Sequence, residues 1–217
     1  MFKNKRSLDK WLRFSRCGEQ IEGTPFVPFK VPIHNASDRL PSNERFSFED
    51  VFRKHPNIGL VIDLTNTTKY YSPTVISRFG AIYCKIAMQG QGTLPDALQV
   101  VEFNRTVGSF MRNNRNQLIG VHCTHGVNRT GFMICQYMVN HLRMSASSAV
   151  HSFQEARGHE IERKSYVDAL YRMDVSSYRN NYNNRYSRNN TLNALVQQER
   201  AYPRAITTRT RPSRWSS

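Results

Sequence analysis

Cys123, Arg129 and Thr130 fall within one run of nine residues, HCTHGVNRT from His122 to Thr130, set between the apolar stretches Leu118 to Val121 and Phe132 to Val139. Apolar, then polar and glycine-bearing, then apolar again reads as strand, loop and helix. A thiol placed there faces unpaired backbone amides and the positive end of a helix dipole. With the Arg129 charge added, Cys123 should ionise below the ordinary cysteine value of about 8.5. The amides from Thr124 through His125, Gly126, Val127 and Asn128 to Arg129 can curl into a nest around a phosphoryl group, with Gly126 free to adopt a backbone angle that a side chain resists. Arg129 offers a two-pronged grip on phosphate oxygens. The Thr130 hydroxyl can bond the thiolate and help release product. The chemistry this permits is in-line attack of sulfur on phosphorus, giving a phosphocysteine that water hydrolyses. A buried structural cysteine is the other use of such a position, and it leaves the glycine and the arginine unexplained. His122 is expected to orient the thiolate through hydrogen bonds, His125 to line the entrance, and Asn128 to brace the loop through side-chain to backbone bonds. Cys84 and Cys135 read as core cysteines, although either could protect Cys123 as a disulfide if the fold brought them close.

Such a loop needs a strand to deliver it and a helix to carry it away. Leu118 to His122 is the feeding strand, and Gly59 to Leu64 and Ala81 to Met88 read as two more. Between Ala81–Met88 and Leu118–His122, Val100, Phe103, Val107 and Phe110 recur at helical spacing, with Pro95 suited to a first turn. Phe132 to Met144 is apolar almost all round and should form a central, covered helix. Further helices are expected from Ala146 to Ala156 and from Lys164 to Met173. Strands alternating with helices predict an α/β sandwich on a mostly parallel sheet. The loop would then sit at a strand's carboxyl end, where such sheets place ligands.

Length 217 suits one domain and a tail. All twelve phenylalanines precede residue 175, so the core domain is expected to span 1–174. Of the net charge of +15, much lies in the tail, 175–217, which has eight arginines against one glutamate. Its low-complexity stretches YRNNYNNRYSRNN and TTRTRPSRWSS read as disordered when free. Arginines interleaved with Tyr178, Tyr182 and Tyr186 could pair phosphates and stack bases, as in single-stranded RNA binding. A solubilising tail and a nuclear-import signal are the other readings. Cys17, Cys84, Cys123 and Cys135 show neither zinc spacing nor a disulfide framework, which points to a reducing compartment. With no apolar run long enough for a signal peptide or a span, no membrane association is expected, and the location is expected to be nucleus, cytoplasm or both. A monomer is expected.

The loop HCTHGVNRTGFMIC resembles that of the cysteine-phosphatase superfamily, and within it the RNA 5′-phosphatase branch. That branch includes animal capping-enzyme triphosphatase domains, a baculovirus RNA phosphatase and the RNA/RNP complex-interacting phosphatases. GLVIDLTNTTKYY (59–71) is similar to the branch's second signature. ARGHEIERKSYVDAL (156–170) and the stretch from Trp11 through GTPFVPFKVPI resemble the RNA/RNP complex-interacting members in particular. The resemblance covers about residues 8 to 174 and implies a dual-specificity-phosphatase-like fold. It also implies that Arg163 lies beside the loop and holds a second phosphate, with His159 and Glu162 orienting that segment. Asp63 is implied to be near the site, positioning a loop or a water. In the protein phosphatases of the superfamily an aspartate protonates the leaving group, and Asp96, 27 residues before Cys123, lies where that acid would be expected. A first-turn aspartate favouring a helix N-terminus is the equal alternative.

The resemblance implies an RNA 5′-phosphatase that removes the γ and β phosphates and leaves a 5′-monophosphate. RNAs with 5′-tri- or diphosphate ends would be its substrates, and a Dicer-type complex or another ribonucleoprotein its setting. At this length the nucleotidyl-transferring domain of a capping enzyme is not expected. No cofactor or metal is expected, since Arg129, Arg163 and backbone amides already supply a positive field; the Glu160 and Glu162 pair is weak as a metal site. The rivals are a protein dual-specificity phosphatase, for which Asp96 would be essential, and a non-catalytic adapter that merely binds 5′-triphosphate RNA.

Overall fold

The computed structural model describes residues 5–33, 40–90 and 92–174. The arginine-rich tail expected from 175 onward lies outside the described residues.

Four parallel strands form the sheet in the order β1–β4–β2–β3: β1 (Phe26–Lys30), β2 (Ile58–Asp63), β3 (Ile82–Lys85) and β4 (Leu118–Cys123). The strand that feeds the loop is therefore interior, paired with β1 from Phe26↔Ile119 to Lys30↔Cys123 and with β2 up to Asp63↔His122. Cys123 emerges at its carboxyl end. β1 was hidden in the sequence by Pro28, which cannot donate to a ladder. It survives because β1 is an edge strand and Pro28 turns outward, its carbonyl accepting from the Gly18 N–H at 2.9 Å.

Helices cover both faces. On one lie α1 (Lys5–Leu12), α2 (Phe48–Lys54) and α3 (Thr74–Ser77), whose Trp11, Phe48, Val51, Phe52, Val75 and Ile76 pack on Val27, Phe29 and Val61. On the other lie α4 (Ala97–Asn113), α5 (Asn128–Asn140), α6 (Ala146–Arg157) and α7 (164–174). Their Phe103, Phe132, Phe153 and Tyr166 pack on Phe26, Leu60, Ile62 and Val121. The alternation along β2, Leu60 and Ile62 to one face and Val61 to the other, is the period of two that a sheet covered twice requires. Each large apolar side chain buried this way stabilises the fold by ~1.5–3 kcal/mol before entropy is counted.

Most boundaries fall within a residue of the sequence expectation, and the larger differences have local causes. β3 ends at Lys85, not Met88, because Ile86 makes the last ladder bond, to Asp63 O at 3.0 Å, and β2 then turns away. Pro95 stands one residue outside α4, whose cap is Asp96. α5 begins at Asn128 and ends at Asn140, four residues earlier than expected at each end. Its start is the phosphate loop itself, and Arg143 at φ 60° turns the chain beyond its end.

Candidate active site

The loop between β4 and α5 is built around Cys123, 3% exposed at the end of β4. α5 carries no side-chain cap, so its first amides stay open toward the loop's centre. Burial alone would raise the Cys123 thiol, but the Arg129 charge, the Thr130 hydroxyl and the N–H groups of Thr130 and Val127 outweigh it and hold the thiol below its ordinary value. Thr130 Oγ1 is buried without another hydrogen-bond partner among the described residues, which leaves it available to the sulfur. Gly126 has φ +66°, and a Cβ there would collide with the backbone of Phe29 and Lys30 in β1. Glycine is thus required twice over, by conformation and by space.

Arg129 is anchored before any ligand arrives. Its Nη1 donates to Leu64 O at 3.0 Å and Met88 O at 2.8 Å, and its Nη2 donates to Thr124 Oγ1 at 3.0 Å. Three of the five guanidinium N–H groups are used in this way and two remain for phosphate oxygens. Two cavities meet at this side chain. One, of about 110 Å³, is lined by Cys123, Thr124, His125, Asn128, Arg129 and Arg163, together with Lys10, Gly90 and Tyr166. The other, of about 260 Å³, runs from Arg129 past Met88 and Gln89 to Leu94, Asp96 and Gln99.

Asn128 links the loop to the segment before α7: its Oδ1 accepts from the Arg163 N–H at 3.0 Å and its Nδ2 donates to Glu162 at 3.1 Å. Arg163 thereby faces the cavity that contains Cys123. His125 lies against Phe14 at 5.0 Å between ring centroids. Burial first, and the charge of Lys10 second, lower its imidazole to about 4, so it is neutral at pH 7.

His122 is fully buried and reaches the backbone rather than the sulfur: Nδ1 is 3.4 Å from the Cys123 carbonyl oxygen and Nε2 is 2.7 Å from the Tyr71 hydroxyl. Burial lowers this imidazole against the raising influence of Asp63. Asp63, also buried, gathers the Thr65 N–H and hydroxyl, the Tyr71 and Tyr83 hydroxyls and an ion pair with Lys85 at 2.9 Å. Burial pushes its carboxyl up, and the His122 and Lys85 side more than offsets that. Asp63 therefore sits at the end of β2 beside His122, connected to the loop through Tyr71 and His122, and lines neither cavity. Asp96 caps α4, accepting from the Gln99 N–H at 2.8 Å within a capping box, and the residue also lines the larger cavity. Both alternatives for this residue thus have a geometric basis.

Sequence reasoning missed Arg157. Almost wholly buried on α6, it donates from Nε to Gly126 O at 2.9 Å and from Nη2 to His125 O at 3.0 Å. Nη2 also donates to Ser15 O at 2.8 Å, and Nη1 to the Ser15 hydroxyl. It braces the loop from beneath, pulling its carbonyls away so that its amides face the ligand. Only its presence in ARGHEIERK hinted at it. Cys135 donates to Ala149 O at 3.4 Å and Cys84 lies 3.9 Å from the Thr106 hydroxyl, and all four cysteines are free thiols.

Residues 42–176 match a family model described as dual specificity phosphatase, catalytic domain. The chain belongs to this family. It is thus a phosphatase of the cysteine-dependent, dual-specificity type, with the α/β fold of that group. A protein of Autographa californica nuclear polyhedrosis virus named tyrosine-protein phosphatase is 40% identical over 74% of this chain and 96% of its own. The RNA/RNP complex-1-interacting phosphatase homolog of Caenorhabditis elegans is 39% identical, covering 77% of this chain and 76% of its own. Among solved structures, Tk-PTP in its active form superposes with a TM-score of 0.55 at 17% identity, over 72% of this chain and 95% of that one, a likeness of fold.

Proposed function

We propose that this phosphatase removes the γ and then the β phosphate from RNA 5′ ends, leaving a 5′-monophosphate, by way of a phosphocysteine on Cys123 and without a metal ion. The observation that carries the reading is Arg163 in one cavity with Cys123 and Arg129. A monoester substrate has one phosphate for the loop and nothing for a second guanidinium beside it. A phosphoanhydride has a neighbouring phosphate that such a guanidinium can neutralise as the P–O bond breaks. Arg129 and the loop amides would hold the transferred phosphoryl, Thr130 would steady the thiolate, and His122 and Asp63 would fix the loop from behind. The relative named for an RNA/RNP complex supports an RNA-bearing substrate, as does the net charge of +15. A role in small-RNA processing, in nucleus or cytoplasm, belongs to the same proposal.

The second reading, a protein phosphatase, draws on the viral relative's name and on Asp96 lining the cavity beside Arg129. Leaving-group chemistry separates the two. A phosphate leaves with a pKa of about 6 and gains little from a proton donor, whereas an alkoxide or phenoxide needs one. Asp96→Asn should lower kcat/KM on 5′-triphosphate RNA less than about threefold, and on a phosphotyrosine peptide by ~10² or more. A preference for the peptide over the RNA by the unaltered enzyme would overturn the first reading in favour of the second.

A further inference from the structure

The N-terminal segment adds a cation to the phosphate cavity from outside the family's matched residues, which begin at 42. Lys10, on α1, lines the same cavity as Cys123, Arg129 and Arg163. Two sets of contacts hold it there. The neighbouring Trp11 is fully buried, its Nε1 donating to Val31 O at 3.0 Å, while the ammonium of buried Lys30 bonds the Trp11 carbonyl at 3.1 Å and stands 3.5 Å from the indole centroid. Beyond the backbone, Lys10 Nζ lies 3.2 Å from Glu162 Oε2, the same oxygen that accepts from the loop's Asn128. Lys10, Glu162, Asn128 and Arg163 are therefore one connected rim on the cradle. The Lys10 charge is also felt inside the loop, since after burial it is the largest influence lowering His125.

The Lys10–Glu162 pair leaves 48% and 41% of the two side chains exposed, and such pairs contribute little in water. An ammonium has three donors, so Lys10 can keep Glu162 and still bond a phosphate oxygen. Glu162 then aims the ammonium without consuming it.

We infer that Lys10 is a specificity-determining ligand for the phosphates beyond the one held in the loop, so that α1 makes this site read a linear polyphosphate chain rather than a lone phosphoryl group. The inference rests on the phosphoanhydride reading above. No covalent step is involved.

The test uses the full chain hydrolysing p-nitrophenyl phosphate, with orthophosphate, pyrophosphate and inorganic tripolyphosphate as inhibitors. Lys10→Ala should weaken inhibition by tripolyphosphate about tenfold and by orthophosphate no more than about twofold, the larger loss matching one charge-assisted hydrogen bond. Lys10→Arg should restore most of the difference. Equal weakening for all three anions, or none for tripolyphosphate, overturns the assignment. Hydrolysis of 5′-triphosphate RNA by the unaltered enzyme is scored separately. Its absence would remove the phosphoanhydride reading, whereas unchanged anion selectivity in Lys10→Ala would remove Lys10 alone.

Discussion

A thiol acts on phosphorus only as thiolate, and the four cysteines of this chain divide sharply in that respect. Cys123 is held below the ordinary value, because Arg129, Thr130 and the loop amides outweigh its burial. Burial pushes Cys17 up to about 12 and raises Cys84 and Cys135 as well. For Cys123 the sign is that of a depressed acid: the thiolate is present above its folded pKa and is lost as pH falls through it. Iodoacetamide at a pH below the usual cysteine value of about 8.5 should therefore label Cys123 faster than the other three, as read by peptide mass spectrometry. Arg129→Ala should move the alkylation midpoint upward. An unchanged midpoint would show that the guanidinium does not set the thiol's ionisation. These residues were legible in the sequence because Cys123 to Arg129 span one short loop from the end of β4 to the start of α5, so spacing alone brings them together.

At the scale of elements, the loop depends on partners that no local pattern announces. Arg157 on α6 bonds Ser15, 142 positions earlier, and the His125 and Gly126 carbonyls. Replacing it by methionine removes the charge and leaves these carbonyls without their donor, which should cost about 2–4 kcal/mol. The measurement is a urea midpoint alongside kcat: a lowered midpoint with a reduced kcat is expected, and no change in either would mean that the loop holds its shape unaided. The sheet's central part and α4 to α7 were readable because their apolar residues recur with a clear period. β1 was not, because of Pro28, and α1 was not, because its charged run masks Trp11. α2 did carry a signal, Ser47 followed by Asp50, which forms a capping box in the structure. Arg163 was found through resemblance alone: its placement depends on Asn128, 35 positions away.

For the whole molecule, charge is the property that extends beyond the site. Among the described residues no helix is long and apolar enough to cross a membrane, and no group of three or more His, Cys, Asp or Glu side chains could hold a metal ion. Eight arginines follow residue 174, and the proposal that they grip RNA predicts a divided effect. Truncation after Asp174 should weaken RNA binding and flatten its salt dependence, each lost phosphate contact reducing the log–log slope by about 0.7. Cleavage of p-nitrophenyl phosphate, which has no RNA backbone for arginines to grip, should be nearly unaffected. Identical salt slopes for the two chains would make the tail a spectator. Which phosphates leave can be read with RNAs labelled at the γ, β or α position, incubated with the purified enzyme in EDTA and resolved by product. Release of γ and then β label with α retained is expected of an RNA 5′-phosphatase that leaves a monophosphate; retention of all three labels, beside rapid cleavage of a phosphopeptide, would rule that activity out.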